Sequence, residues 1–220
     1  MPRYFAYLLS VVFHPLLIVS YMLTFLLLMN PYLFGVSNIT EQFSLIVILM
    51  FSTFFMPVLM VGMLKKLDLV QSLELQDRQE RIIPYILTGF FYIVMSAFFM
   101  YHPDMPNAFT SFVLGTTIAL FAAFFVNLFS KISAHAVGMG GLVAMVVISI
   151  WQFSHGIISL NISDFATIQI NSILLLTFVV LAAGLVGSAR LKLEAHVPQD
   201  LYGGYLIGFA SQFIALRFIF

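Results

Sequence analysis

Seven long apolar runs constrain this chain more strongly than any other feature of its sequence. A membrane-spanning helix requires about 20 mostly apolar residues. Hydrophobic residues form 62% of the chain and charged residues 8%, a composition typical of membrane proteins that cross the bilayer several times. We therefore predict an all-α transmembrane bundle that forms a single integral membrane domain over residues 1–220. The predicted spans are Tyr4–Met29, Gln42–Leu64, Pro84–Tyr101, Ala108–Phe129, Ala136–Phe153, Gln169–Ser188 and Leu201–Phe220.

Charge and cysteine content exclude several other classes of protein. The formal net charge at pH 7 is zero, so the chain offers no basic face for nucleic acid. Because the sequence contains no cysteine, neither disulfides nor thiolate metal sites can form. The apolar run after Arg3 is too long for a signal peptide and lacks a small-x-small cleavage site. We therefore expect residues 1–30 to be a retained helix.

The polar connections between the spans are of two kinds. Those at 30–41, 102–107 and 154–168 are nearly free of basic residues, whereas those at 65–83, 130–135 and 189–200 hold most of the charge. The charged connections follow the second, fourth and sixth predicted spans, so all three emerge on one face of the bilayer. Charge near a membrane is costly, and its concentration at one depth suggests a shared anionic ligand.

The third charged connection contains the sharpest chemical pattern. Asp200 follows His196 by four residues, which places both side chains on one face of a helix. The carboxylate can then hold the proton on Nδ1 and leave Nε2 bare as a nucleophile or base. Arg190 adds a planar set of donors that suits phosphate.

The other two charged connections contain further candidates for binding the anion. Arg78 and Arg81 are three residues apart and could clamp phosphate oxygens, or they could form a positively charged flank with local ion pairs. Ser133 precedes the fifth span, where it could cap the helix, donate to a phosphate oxygen, or both. His135 by itself is typical of an interfacial histidine, and the second histidine of the set favours a catalytic role.

These residues resemble the motifs of the type 2 phosphatidic acid phosphatase (PAP2) superfamily. The pattern Arg-x5-His-x3-Asp at Arg190, His196 and Asp200 is similar to its third motif, and Ser-x-His at Ser133 and His135 is similar to its second. Ile132 and Ala134 stand where the second motif has proline and glycine. In the first motif, Lys-x6-Arg-Pro, Arg81 takes the place of the arginine, Glu74 replaces the lysine and the proline comes at Pro84.

The resemblance implies a fold, an activity and a role for each site residue. Residues 42–220 would form a six-helix core, and residues 1–30 would be an additional helix. The activity would be metal-independent phosphoryl transfer through a phosphohistidine, without a cofactor. In these roles, His196 is the nucleophile, Asp200 orients it, His135 protonates the leaving oxygen, and phosphate is bound by Arg190, Ser133, Arg81 and, in place of the missing lysine, Arg78.

The position of the site suggests the substrate and leaves the orientation open. A phosphate site at headgroup depth suits an amphiphile whose tail stays among membrane lipids, so we expect a lipid phosphate or a polyprenyl pyrophosphate. Every Lys and Arg except Arg217 falls on the motif face. The positive-inside rule would make that face cytoplasmic in a plasma (inner) membrane. The resemblance implies a periplasmic or lumenal face.

Other readings compete with this one. The histidines could serve a haem or a metal, and the chain could be a noncatalytic or transport protein on a PAP2-like scaffold. We expect His14, which precedes Pro15 within the first span, to face a neighbouring helix or a carbonyl freed by a kink in preference to a functional role. We expect His102 and His155 to lie on the opposite face. The pairs Gly204–Gly208 and Gly184–Gly187 are typical of close helix packing.

Overall fold

The computed structural model describes residues 1–71, 75, 77–154, 156–163 and 166–220, and within them the chain is mainly helical. Glu74 and His155, named above, lie outside this part of the chain. The α-helices are α1 (Arg3–Val12), α2 (Ile18–Met29), α3 (Phe43–Met50), α4 (Met56–Lys66), α5 (Ile82–Tyr101), α6 (Asn107–Asn127), α7 (Ala134–Phe153), α8 (Ser172–Lys192) and α9 (Pro198–Ile219).

Six helical segments are long and apolar enough to cross a membrane, which confirms a helical polytopic architecture for the described residues. These segments are Arg3–Met29, Pro31–Lys66, Gln79–Tyr101, Asn107–Asn127, Ala134–Phe153 and Ser172–Lys192. The seventh predicted span corresponds to α9, which has the required length but is less apolar. Its polar Ser211 and Gln212 are buried toward the bundle, whereas Leu206, on the opposite side of the helix, is exposed. Seven crossings therefore stay a prediction.

The first predicted span is interrupted, contrary to the expectation of one continuous helix. Phe13 and His14 leave the helical conformation, and His14 has an extended ψ of 133°. Pro15 explains the break, because it lacks an amide N–H and disfavours the helical conformation in the residue before it. Beyond a short 3-10 turn at Pro15–Leu17, α2 resumes. The chain thus places His14 at a corner, outside the hydrogen-bonded ladder of either helix.

The second span bends in a similar way. Between α3 and α4, the segment Phe51–Phe55 forms one π-helical turn. Pro57, the second residue of α4, cannot donate the backbone hydrogen bond that a regular helix would require at this point. Single π turns interrupt α-helices without ending them and are frequent near functional sites. The bend carries Pro57 and Val58 to the edge of the cavity described below.

Helices α7 and α9 pack unusually closely at the end of the bundle that bears the motifs. A Cβ atom on Gly204 would lie 2.7 Å from Cβ of Ala136, and one on Gly208 would overlap the carbonyl oxygen of Val137. Glycine is therefore required for the two backbones to approach at this distance. The predicted packing role of this pair is confirmed. At the same junction, the backbone N–H of Ser133 donates to the carbonyl of Asp200 at 3.3 Å, so the starts of α7 and α9 are held side by side.

A two-stranded antiparallel sheet at the opposite end of the bundle was not predicted. Strands β1 (Ile157–Ser163) and β2 (Ala166–Asn171) pair with Ile158 opposite Ile170. The sixth predicted span was placed too early, because its first residues belong to β2. Asn171 ends the strand and caps α8 by accepting from the backbone N–H groups of Ile173 and Leu174.

Candidate functional site

His196 and Asp200 form a buried pair at the start of α9. Nδ1 of His196 lies 3.0 Å from Oδ2 of Asp200, and the same carboxylate oxygen accepts from the backbone N–H of Val197 at 3.3 Å. Both residues are at most 9% exposed. Because an ionised carboxylate only accepts, the imidazole proton belongs on Nδ1 and Nε2 carries a lone pair. The predicted contact is present, but the two residues do not share a helical face, because His196 precedes Val197, the N-cap of α9, and only Asp200 lies in the helix.

The surroundings of His196 keep its imidazole neutral. Burial lowers the pKa of His196 from 6.5 to about 4. The hydrogen bond to Asp200 acts in the opposite direction, while the charges of Arg81 and Arg190 lower the pKa further. A neutral imidazole with a bare Nε2 is the form that can attack phosphorus or accept a proton.

His135 stands in the first turn of α7, behind a helix cap. Nε2 of His135 lies 3.0 Å from the backbone carbonyl oxygen of Ser10. A carbonyl only accepts, so Nε2 carries the proton and Nδ1 is the atom left for exchange with a ligand. Ser133 caps α7, because its Oγ accepts from the backbone N–H of Ala136 at 3.4 Å. Ser133 is fully buried and does not line the cavity, so the structure places it behind the site, contrary to the predicted phosphate contact.

Two arginines reach the site from different elements. Arg190, near the end of α8, donates from a terminal guanidinium nitrogen to Oγ of Ser10 at 3.4 Å. Arg81, at the start of α5, is 9% exposed and donates from Nε to the carbonyl of Leu75 at 2.7 Å and from Nη1 to that of Ile132 at 2.9 Å. Two of the three nitrogens of Arg81 are thus used to hold its guanidinium at the cavity.

Arg78 has a different position from the one predicted for it. Its Nη1 donates to the carbonyls of Leu128 and Phe129 at 3.1 and 2.6 Å, just beyond α6. The side chain of Asn127 donates to the carbonyl of Arg78 at 2.9 Å. These bonds satisfy orphan carbonyls at a helix end. Arg78 does not line the cavity, so it braces α6 and does not replace the missing lysine there.

One cavity brings the predicted residues together. Arg81, His135, Arg190 and His196 all line it, and its volume is about 390 Å³. These four residues form the polar end of the cavity. From there it continues between the helices to Tyr92, which lies about 15 Å from the start of α5 at 1.5 Å per residue. The rest of its wall is mostly apolar and is formed by residues such as Pro57, Val58, Val61, Pro84, Leu120, Ala123 and Val137.

Two further residues, His14 and Tyr85, line the cavity although their sequence context did not predict a place at the site. His14 lines it, and its ring centroid is 5.6 Å from that of His135 at an interplanar angle of 78°. Tyr85, one turn after Arg81, also lines it, and its buried hydroxyl has no hydrogen-bond partner within the described part of the chain. No sequence signal identifies His14. For Tyr85 a signal was available, because Tyr85 follows Arg81 by four residues and so lies one helical turn away.

The polar end of the cavity is electropositive. Partial burial lowers the pKa of Lys131, and the neighbouring charge of Arg81 is the next cause. Repulsion between cations of this kind is relieved by a bound anion. Among the described residues, no group of three or more His, Asp or Glu side chains is placed to hold a metal ion. The chemistry available to these residues is anion binding, proton transfer and nucleophilic attack by an imidazole.

Comparison with known proteins adds no relative. No family model matches the chain, and neither a curated protein nor a solved structure matches it.

Proposed function

We propose that this integral membrane protein is a metal-independent phosphatase that hydrolyses a lipid phosphate or a polyprenyl pyrophosphate. The observation that carries the proposal is the His196–Asp200 pair at a cavity that His135 and two arginines also line. The PAP2 resemblance supports it with the same residues. Asp200 does not line the cavity but lies directly behind the nucleophile, where an orienting carboxylate is needed.

The first step transfers the phosphoryl group to the protein. Nε2 of His196 attacks phosphorus, and the bond between phosphorus and the leaving oxygen breaks as the N–P bond forms. His135 enters this step as an imidazolium: Nε2–H stays bonded to the carbonyl of Ser10, and the second proton, on Nδ1, passes to the leaving oxygen. Arg81 and Arg190 stabilise the negative charge on the nonbridging oxygens, which is the main contribution that a protein makes to phosphoryl transfer.

The second step releases phosphate. Water attacks the phosphorus of the phosphohistidine formed at His196, and His135, which lost its proton in the first step, accepts one from that water. The N–P bond breaks, and its electron pair returns to Nε2 of His196. Asp200 stabilises the positive imidazole ring of the intermediate. Because His135 has regained a proton and Nε2 of His196 has regained its electron pair, both histidines end in their starting protonation states.

The substrate class follows from the two ends of the cavity. The cationic end suits a phosphate or diphosphate, and the apolar part that reaches Tyr92 suits a hydrocarbon tail. A soluble phosphate ester would leave the apolar wall uncovered. We therefore infer an amphiphile that enters from the lipid.

Purified protein in detergent, incubated with lipid phosphates and polyprenyl pyrophosphates with and without EDTA, tests the proposal. We expect phosphate release that EDTA does not reduce, and an acid-labile phosphoprotein during turnover. His196→Gln should abolish both, whereas His102→Gln at the other end of α5 should retain both. Absence of hydrolysis across the panel by the wild-type protein would refute the phosphatase.

The basic residues of the motif face favour a cytoplasmic site. Because the chain contains no cysteine, a single Lys192→Cys variant reports this directly. We expect the introduced thiol to react with a membrane-impermeant maleimide only after intact cells are opened. Labelling in intact cells would place the site on the periplasmic or lumenal side, as the resemblance implies.

A noncatalytic or transport protein on a similar scaffold is the second candidate. The position of Arg78 favours it, because a donor expected at the phosphate is committed to the end of α6. Under this alternative the purified protein binds a lipid phosphate without cleaving it, and reconstituted vesicles accumulate or redistribute the intact lipid.

A further inference from the structure

The first span reaches the candidate site through its interruption at His14. Ser10 contacts the site twice, since its carbonyl accepts from His135 and its hydroxyl accepts from Arg190. Four residues later, the break before Pro15 exposes the His14 ring to the cavity. The segment therefore belongs to the wall of the site, although it lies outside the part of the chain that resembles PAP2 enzymes.

The hydrogen bonding of His14 determines which of its ring nitrogens is a donor. Nδ1 accepts from the backbone N–H of Leu16 at 3.4 Å, as a cap of the 3-10 turn. A nitrogen that accepts carries no proton, so the neutral ring has its proton on Nε2. The ring is also held from two sides, by His135 at 5.6 Å and by Phe54 at 6.0 Å between centroids. His14 thus presents an N–H donor in a fixed orientation.

We propose that His14 is a third histidine of the site and that its Nε2–H binds an oxygen of the phosphate held by the arginines. The inference rests on the proposed function and adds a binding residue to it. The groups that face His14 are His135 from α7 and Arg190 from α8, with Arg81 and His196 around the same cavity. These side chains surround a cavity that can hold an anion, and no Asp or Glu of the described residues lines it to accept a hydrogen bond from Nε2–H of His14. A phosphate oxygen is therefore the acceptor that this donor requires.

Orthovanadate, a phosphate analogue, tests this inference on the full-length protein in detergent. His14→Phe keeps an aromatic ring against His135 and Phe54 but removes the donor, and His14→Gln keeps a donor. We expect His14→Phe to weaken vanadate affinity about tenfold, the typical effect of one hydrogen bond to a charged group. His14→Gln should retain more of the affinity, and the matched control His102→Phe should bind as the wild type does.

Each outcome distinguishes this inference from the proposed function. Equal vanadate affinity and equal KM in His14→Phe and the wild type would show that His14 only packs, and would overturn the inference while leaving the phosphatase intact. A wild-type protein that neither binds vanadate nor hydrolyses a lipid phosphate would overturn both. If His14→Phe does not fold, His14→Leu is compared with His14→Gln, and equal affinities in that pair would refute the hydrogen bond.

Discussion

Nδ1 of His196 lies 3.0 Å from Oδ2 of Asp200, in a buried pair whose geometry leaves Nε2 free. In the proposed mechanism His196 is the nucleophile and Asp200 orients it, so substitutions of the two residues should have different effects. We expect His196→Gln to remove all hydrolysis, because no other described imidazole has a carboxylate as close behind it. Asp200→Asn should lower kcat by about 10²- to 10⁴-fold, the range for disturbed proton transfer. Steady-state kinetics with a lipid phosphate measures both effects. Equal activity of Asp200→Asn and the wild type would contradict the orienting role.

The lowered pKa of His196 predicts how stability depends on pH. The unfolded chain binds a proton on this imidazole near pH 6.5, whereas the folded protein resists protonation until about pH 4. The unfolded state therefore binds more protons between these values, so the free energy of unfolding falls as the pH is lowered from 6.5 toward 4. Above pH 6.5 this contribution is fully present.

Thermal unfolding in detergent at several pH values measures the effect. The loss of Tm between pH 6.5 and 4 should be smaller in His196→Gln than in the wild type, because the variant has no imidazole to protonate at this position. Parallel curves for the two proteins would show that the pKa of His196 is not lowered.

Arg81 and Arg78 form a matched pair for separating binding from stability. Arg81 lines the cavity, so Arg81→Gln should raise KM and weaken vanadate inhibition by at least about tenfold, as expected for a bond between charged groups. Arg78 instead binds carbonyls at the end of α6. We expect Arg78→Gln to lower Tm and to leave KM nearly unchanged. The reverse pattern would restore Arg78 as the substitute for the missing lysine.

The close contact of α7 and α9 makes a prediction about two glycines of one helix. Gly208→Ala would force a methyl group into the backbone of α7 and should destabilise the protein by about 1–3 kcal/mol, as overpacking does. A Cβ on Gly203 meets nothing within 4 Å. Gly203→Ala should therefore be neutral or stabilising, because alanine favours a helix over glycine. Denaturation in mixed micelles compares the two, and equal losses would contradict the packing.

The hydroxyl of Tyr85 is buried without a partner among the described residues, so its removal should not weaken the fold. We expect Tyr85→Phe to match or exceed the Tm of the wild type, since an unpaired buried donor costs about 1–3 kcal/mol. Tyr205→Phe is the control, because that hydroxyl donates to the carbonyl of Ala183 at 2.6 Å and its loss should lower Tm. If Tyr85 donates to the ligand, Tyr85→Phe also raises KM. A Tm loss as large as that of Tyr205→Phe would show a structural partner.

Six of the seven predicted spans and the His196–Asp200 contact were predictable from sequence for simple physical reasons. Bilayer thickness sets the length of an apolar run, and six of the predicted spans correspond to helical segments of the required length and hydropathy. The His196–Asp200 contact is local, because His196 directly precedes Val197, the N-cap of α9, and Asp200 stands in the first turn, where its carboxylate turns back toward the start of the helix. The three charged connections were predictable as neighbours because successive spans end on alternate faces of the membrane, and these connections follow the second, fourth and sixth spans.

The hairpin of β1 and β2 was missed because the spans were located by the length of apolar runs. A search for apolar runs does not test whether polar and apolar residues alternate. Residues 166–171, Ala-Thr-Ile-Gln-Ile-Asn, alternate between polar and apolar side chains as a strand does. Three of these residues were absorbed into the start of the sixth span. The break at His14 was foreseeable from Pro15, whereas the direction in which it turns the ring was not.

Sequence by itself determined the membrane class, the face on which the motifs gather and the local histidine–carboxylate pair, because each depends on composition, bilayer thickness or a short separation along the chain. Only the tertiary structure decided that Arg81 and not Arg78 lines the cavity, that Ser133 lies behind the site, and that Ser10 and His14 border it. Those positions depend on the close approach of α7 and α9 and on contacts between residues far apart in the chain. Such contacts are set by packing and backbone hydrogen bonds, which no local pattern records.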